Sequence, residues 1–335
     1  MEEQEPTENK EQAEPELLYH YTTQEGLLGI LGNREKCIWA SHLQYLNDAS
    51  EGQIFAKLFR GELERRATKS SEEPPSQLTM LAQLMGISKD QPESSTQSAD
   101  IDVLDHGSIA FSWISGQDAF VASFSEKGDL LSQWRAYSGA TGGYSIGFAR
   151  SYLDSVGMHF LESRKESFCN DSNPLVACQY CDPSEEESLK CEITQIVDSY
   201  MGEAQKLGQQ AAAGPKEELG AVAAIAKKHI FPLGKRRAMT KDHAFQEEAE
   251  WRLVFQLETR GTTDSEPEFR IGRSMPIPFF KVDLTWEGQG LEIPEIIVGP
   301  CPHPLEAKNS VERLLRKVGV RKFEVRNSKI PYRNW

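Results

Sequence analysis

The stretch Glu247-Glu248-Ala249-Glu250-Trp251-Arg252-Leu253-Val254-Phe255 runs a cluster of carboxylates straight into an apolar segment, and the reading of that junction decides the fold. From Trp251 onward the residues suit a strand, since Val254 and Phe255 are types that pack well on a pleated surface. If the strand begins early enough, Glu248 and Glu250 lie two apart and share one face. Two carboxylates on one side of a strand repel unless a ligand, a cation or a shifted pKa accommodates them. The competing reading makes residues 246–250 a solvated helical turn that ends at Trp251.

With 39% hydrophobic and 26% charged residues among 335, the chain has the composition of a soluble globular protein able to bury a sizeable core. Residues 1–16 carry seven Glu against one Lys and no apolar run, so they read as a disordered acidic tail, neither a leader nor a membrane anchor. No stretch approaches a membrane span, and six cysteines without a secretory signal point to a reducing cytoplasm. Cys178 and Cys181 with Cys191 lack a fourth ligand at a familiar spacing, so no metal is expected. A net charge of −14 argues against generic nucleic-acid affinity unless a basic patch is segregated. Residues 308–335 offer such a patch, with nine Lys or Arg against two acids, although the same charges suit a solvated helix and strand.

Leu17-Leu18-Tyr19-His20-Tyr21 reads as a strand, and Thr22 with Glu25 has the form of a capping box that opens a helix through Leu31, stopped by Gly32. His20 would then end a strand beside a helix N-terminus suited to a polar or anionic ligand. A strand at 37–40 precedes an amphipathic helix with Ile54, Phe55, Leu58, Phe59 and Leu63 on its apolar side. Residues 69–100, rich in Pro and Ser, read as a flexible insertion. Residues 119–125 form a strand that puts Ser123 and Ser125 on one face, and a short helix over 129–137 ends at Tyr137. The glycine-rich turn at 139–143 lacks the Lys-Ser or Lys-Thr of a phosphate loop and leads into a strand at 144–148. A strand at 175–180 precedes a helical pair over 184–231, and later strands fall at 269–271, 277–282, 293–298 and 322–325. The last helix turns Val311, Leu314, Leu315 and Val318 inward. Short strands without regular strand–helix alternation predict an α+β fold with a mostly antiparallel core and helical insertions, with residues 17–335 as one domain.

The motifs Tyr19-His20-Tyr21-Thr22, Leu46-Asn47-Asp48-Ala49-Ser50-Glu51, Ser123-Phe124-Ser125-Glu126 with Trp134-Arg135-Ala136-Tyr137, Glu248-Ala249-Glu250-Trp251-Arg252 and Ser328-Lys329-Ile330-Pro331-Tyr332-Arg333 stand in an order that resembles a largely uncharacterised bacterial domain family. That family in turn resembles a distant branch of the ADP-ribosyltransferase superfamily. The resemblance implies a split, mostly antiparallel sheet whose cleft binds NAD as substrate. It places His20 with Tyr21 and Thr22 on the first strand, Ser123 and Ser125 or else Tyr137 in the middle, and Glu248 and Glu250 on the late strand.

On that reading Glu250 stabilises the oxocarbenium ion that develops as the nicotinamide–ribose bond breaks, as carboxylates do at other glycosidic centres. Glu248 orients or deprotonates an acceptor, which would be a protein or a nucleic acid, and His20 and Thr22 hold ribose and amide groups by hydrogen bonds. Glu250→Gln is expected to leave the fold nearly intact and to cut turnover by roughly 100-fold. Two other classes fit the same residues: an NAD glycohydrolase, and a binding or regulatory module that has lost the chemistry.

Overall fold

The computed structural model describes residues 15–46, 55, 57–59, 61–62, 65, 118–139, 142–168, 172–181, 186–210, 228–229, 231–257, 266–272 and 274–333. Nearly all of the acidic tail, the insertion at 69–100, residues 47–51 of the Leu46-to-Glu51 motif and most of the second helix of the expected pair lie outside these residues. In chain order the elements are β1 (Leu17–Thr23), α1 (Gln24–Leu31), β2 (Cys37–His42), β3 (Ala119–Ser125), α2 (Leu131–Tyr137), β4 (Gly143–Ala149) and α3 (Arg150–Ser163). There follow β5 (Leu175–Ala177), β6 (Gln179–Cys181), α4 (Glu186–Gln210), α5 (Phe231–Met239), β7 (Thr240–Asp242) and β8 (Glu250–Gln256). The last are β9 (Glu268–Ile271), β10 (Pro276–Asp283), β11 (Glu295–Val298), α6 (Pro304–Lys317) and β12 (Glu324–Asn327). The chain is α+β with mostly antiparallel pairing, and it falls into two compact units, one from residues 1–36, 124–155 and 284–335, the other from 37–123 and 156–283. No helix among the described residues is long and apolar enough to cross a membrane.

In the first unit the strands run β12-β11-β4-β1. β1 and β4 pair antiparallel from Leu17 opposite Ala149 to Thr23 opposite Gly143. β11 pairs antiparallel with β4 and parallel with β12, and the parallel pair needs a crossover, which α6 supplies. The apolar stripe of α6 buries Val311 and Leu315, with Leu314 and Val318 half-buried beside them.

Because β1 keeps its ladder through Thr23, the helix cap falls one residue later than the Thr22 position expected from the sequence. The Thr23 hydroxyl accepts the Gly26 N–H at 3.1 Å, and the Gly32 N–H closes the other end of α1 on Leu28 O at 2.7 Å. Thr23→Ala should therefore lower stability by about 1 kcal/mol, read as a shift in denaturant midpoint. The same substitution at Thr22 carries no capping loss, and a reversed pair of midpoints would return the cap to Thr22.

In the second unit β3 pairs with β2, β2 with β10 and β10 with β9, while β8 pairs with both β3 and β5. Successive residues of β8 point to opposite faces. On one side Phe255 joins a ring cluster, 4.2 Å from Phe160 between centroids, with Phe168 5.0 Å from Phe280. The other side carries Glu250, Arg252, Val254 and Gln256.

The strand expected over 175–180 is broken at Cys178, whose N–H donates to Glu250 O at 2.8 Å. The break has a geometric cause: β5 pairs antiparallel with β8 while β6 pairs parallel with β7, so the chain must turn between two partners. α3, absent from the sequence expectations, buries Tyr152, Leu153, Val156, Phe160 and Leu161, a spacing that a helical stripe explains.

Candidate functional site

Asp242 opens the junction by accepting the Ala244 N–H on its carboxylate at 2.9 Å, which starts a tight 3-10 turn over His243–Glu248. Ala249 ends that turn in the left-handed region, at φ 42 and ψ 55, and β8 begins at the next residue. An L-residue with a Cβ enters this region at a cost, so the surrounding bonds must hold it there. Both readings of the junction hold in part: the turn occupies the residues before Ala249, and the strand begins at Glu250. Glu248 therefore belongs to the turn and does not share a strand face with Glu250, which corrects the expectation of two carboxylates on one strand.

The two carboxylates still meet, through a cation on β7. Lys241 Nζ donates to Glu248 Oε2 at 2.7 Å and to Glu250 Oε2 at 2.6 Å. From the same face of β8, Arg252 Nε donates to Glu250 Oε1 at 2.7 Å and Nη2 to Oε2 at 3.1 Å. Arg252 Nη1 reaches Ala238 O at 2.7 Å, and the Glu250 N–H donates to the Tyr180 hydroxyl at 2.6 Å. Glu250, Lys241 and Arg252 are all buried. Burial alone would raise the Glu250 carboxyl, but the Arg252 and Lys241 charges outweigh it and hold the group down at about 2. Burial likewise opposes the Lys241 charge, and the neighbouring carboxylates reverse that and raise its pKa. Two cations and two carboxylates balance, and Glu250 is ionised across the physiological range.

Sequence reasoning identified Glu248 and Glu250 and missed Lys241, Arg252 and Tyr180. Arg252 carries a signal in its spacing, since it lies two residues from Glu250 on a strand. Lys241 and Tyr180 reach the site only through the β6–β7 pairing, which no local pattern announces.

The other expected site residues fall mostly in the first unit. His20 is mid-strand, opposite Ile146, with its ring 5.8 Å from that of Phe124, so it does not end β1 as expected. The strand simply continues for three residues beyond it. Tyr21 donates its hydroxyl to Lys127 O at 2.6 Å and accepts the Leu130 N–H at 3.0 Å, and its ring stands edge-on to Trp134. Thr22 lies half-buried opposite Tyr144. Ser125 is buried, with its hydroxyl accepting the Lys127 N–H at 3.0 Å. Tyr137 ends α2 and is exposed, and Ser123, in the second unit, is half-buried on β3.

Two of the sequence motifs meet in the first unit on Asp129. Its carboxylate accepts Trp134 Nε1 at 2.8 Å, the Ser328 hydroxyl at 2.6 Å and the Lys329 N–H at 2.8 Å. The Ser328 hydroxyl in turn accepts the Ile330 N–H, and the Arg135 guanidinium lies over the Tyr332 ring. Ile330 packs against Tyr21, Trp134 and Ile297. The chemistry here is that of a fold pin, tying the segment after β12 to α2 and β1. In the basic stretch at 308–335, Arg316 pairs with Glu312 and Arg326 with Glu295, so part of its charge is neutralised internally.

Residues 133–253 match a family described as a protein of unknown function, DUF2971. The matched span holds Tyr180, Lys241, Glu248, Glu250 and Arg252 and excludes β1 with His20. No curated protein and no solved structure matches the chain.

Proposed function

We propose that the chain acts on NAD in the manner of an ADP-ribosyltransferase, transferring ADP-ribose to a macromolecular acceptor in a toxin or phage-defence setting. The observation that carries this reading is the Glu250 carboxylate, ionised and fixed by Lys241 and Arg252 at the head of β8, where the ordered motifs call for a carboxylate. A preorganised negative charge stabilises an oxocarbenium ion without reorganising during the reaction. Glu248, with 20% of its side chain exposed against 7% for Glu250, is the carboxylate better placed to meet an acceptor.

A second reading, a binding or regulatory module without turnover, draws on the same geometry. Both Glu250 oxygens already accept hydrogen bonds from the chain's own cations, as in a structural ion-pair network. Thermal shift with NAD, ADP-ribose and nicotinamide, run beside an NAD-consumption assay, separates the two. Transfer predicts that NAD raises the melting midpoint and is consumed, with Glu248→Gln depressing modification of the acceptor while hydrolysis stays measurable. A shift without consumption favours the binding module. Neither shift nor consumption removes NAD from both readings.

A further inference from the structure

Arg270, on β9 in the second unit, is a guanidinium drawn partly out of water with little to hold it. Its Nη2 donates to the Ser41 hydroxyl at 3.2 Å, and its Nε is buried without a partner. No carboxylate among the described residues pairs with it: Glu268, two residues away on the same strand, is engaged by Lys281 at 3.0 Å. Burial lowers its pKa with no compensating acid. Its terminal Nη groups lie on the side of the partly buried residue that faces Ser41 and carry no bond to a carboxylate, so they can take an anion, and phosphate suits a guanidinium in two-point fashion.

The strands around it supply a second component of a ligand site. In antiparallel pairing, opposed residues share a face. Phe279 stands opposite Ser41 and Glu268, Trp39 opposite Lys281, and Arg270 opposite Ile277. Trp39, Ser41, Phe279, Lys281 and Arg270 thus lie on one face. There the Trp39 ring rests 4.5 Å from buried Phe279 while 46% of the residue stays exposed. A ring that rests on one neighbour at a 37° tilt and keeps nearly half of its residue exposed offers a surface on which a nucleobase can stack. Ser41 also stands opposite Val121, which packs with Val254, so this is the side of the sheet that carries Glu250 and Arg252.

We infer that Arg270 and Ser41 hold the phosphate, and Trp39 stacks the base, of a nucleoside phosphate. The assignment stands on this geometry and does not need Glu250 to be catalytic. It is tested by calorimetric titration of the full chain with ADP, adenosine and pyrophosphate, none of which carries a nicotinamide bond. Wild-type protein should bind ADP more tightly than either fragment. Arg270→Gln should weaken ADP about 10-fold or more and leave adenosine little changed, and Arg270→Lys, which keeps the charge but loses the fork, should fall between. Trp39→Ala should weaken ADP and adenosine alike by about 10-fold and leave pyrophosphate unaffected. Wild-type protein that ignores ADP, or folded Arg270→Gln that binds it fully, overturns the inference. So does pyrophosphate that binds as tightly as ADP, which would leave an anion site with no nucleoside. ADP binding by a chain that never consumes NAD upholds this site while removing the transfer reaction, and NAD turnover by a chain that ignores ADP does the reverse.

Discussion

Glu250→Gln lowers the unfolding free energy by about 3–5 kcal/mol, the range found when one partner of a buried ion pair is removed and the rest stays buried and charged. The size follows from what the substitution leaves behind. Lys241 and Arg252 are buried, and the remaining carboxylate, Glu248, contacts Lys241 from the turn. The acid limb of the stability profile gives an independent check. The Glu250 carboxyl falls from an ordinary 4.5 to about 2 in the fold, so the unfolded chain takes up the proton first as pH drops. Its contribution is complete above about pH 4.5 and is lost as pH falls toward 2. Urea midpoints measured from pH 7 down to 2 should therefore converge for wild type and Glu250→Gln at the acid end and separate widely at pH 7. Equal midpoints at pH 7 would mean that the network contributes nothing. For stability the sequence alone led to the opposite expectation, a fold left nearly intact beside a turnover cut roughly 100-fold, because it shows neither the burial of the carboxylate nor the two cations that depend on it. Activity comparisons with this variant must accordingly be made well below its own unfolding midpoint.

Asp129→Ala should cost about 3 kcal/mol in the first unit, since it strands three donors at once, one of them the indole N–H of the buried Trp134. The loss should be local before it is global. Amide exchange at Lys329 and Ile330 should speed up, and proteolysis should reach residues 328–333 under conditions where the wild type resists. Asp129→Asn keeps one acceptor oxygen and should lose roughly half as much. Unchanged exchange at Lys329 would show that the segment is held by Ile330 packing and the Arg135–Tyr332 contact alone.

The parts of this fold that were legible in the sequence are those governed by short-range periodicity. β1, β3, β4, β8, β10 and α6 announce themselves because alternation or a helical stripe is written in consecutive residues, and each strand then needs only a neighbour. β5 and β6 misread as one strand because their break is set by partners more than sixty residues downstream. The cap moved from Thr22 to Thr23 for a similar reason: pairing with β4 extends β1 past the point where a capping pattern would end it. At the junction, composition showed that carboxylates meet a strand, while the resolution of the conflict lies in one left-handed residue, Ala249, and in a lysine on another strand. The Arg270 and Ser41 contact joins residues far apart in the chain, on strands separated in the sheet by β10, and no spacing rule links them.

The order of strands in the first unit also bears on how the chain is made. β1 and β4 are available early, and pairing with each other leaves β4 one bare edge. Its partner there, β11, begins only at Glu295, behind all of residues 156–283. At roughly 5–20 residues per second, a nascent chain on the ribosome carries that open edge for on the order of ten to thirty seconds. An unpaired strand edge recruits strands from other chains, so slowed elongation lengthens the interval in which neighbouring nascent chains can pair wrongly.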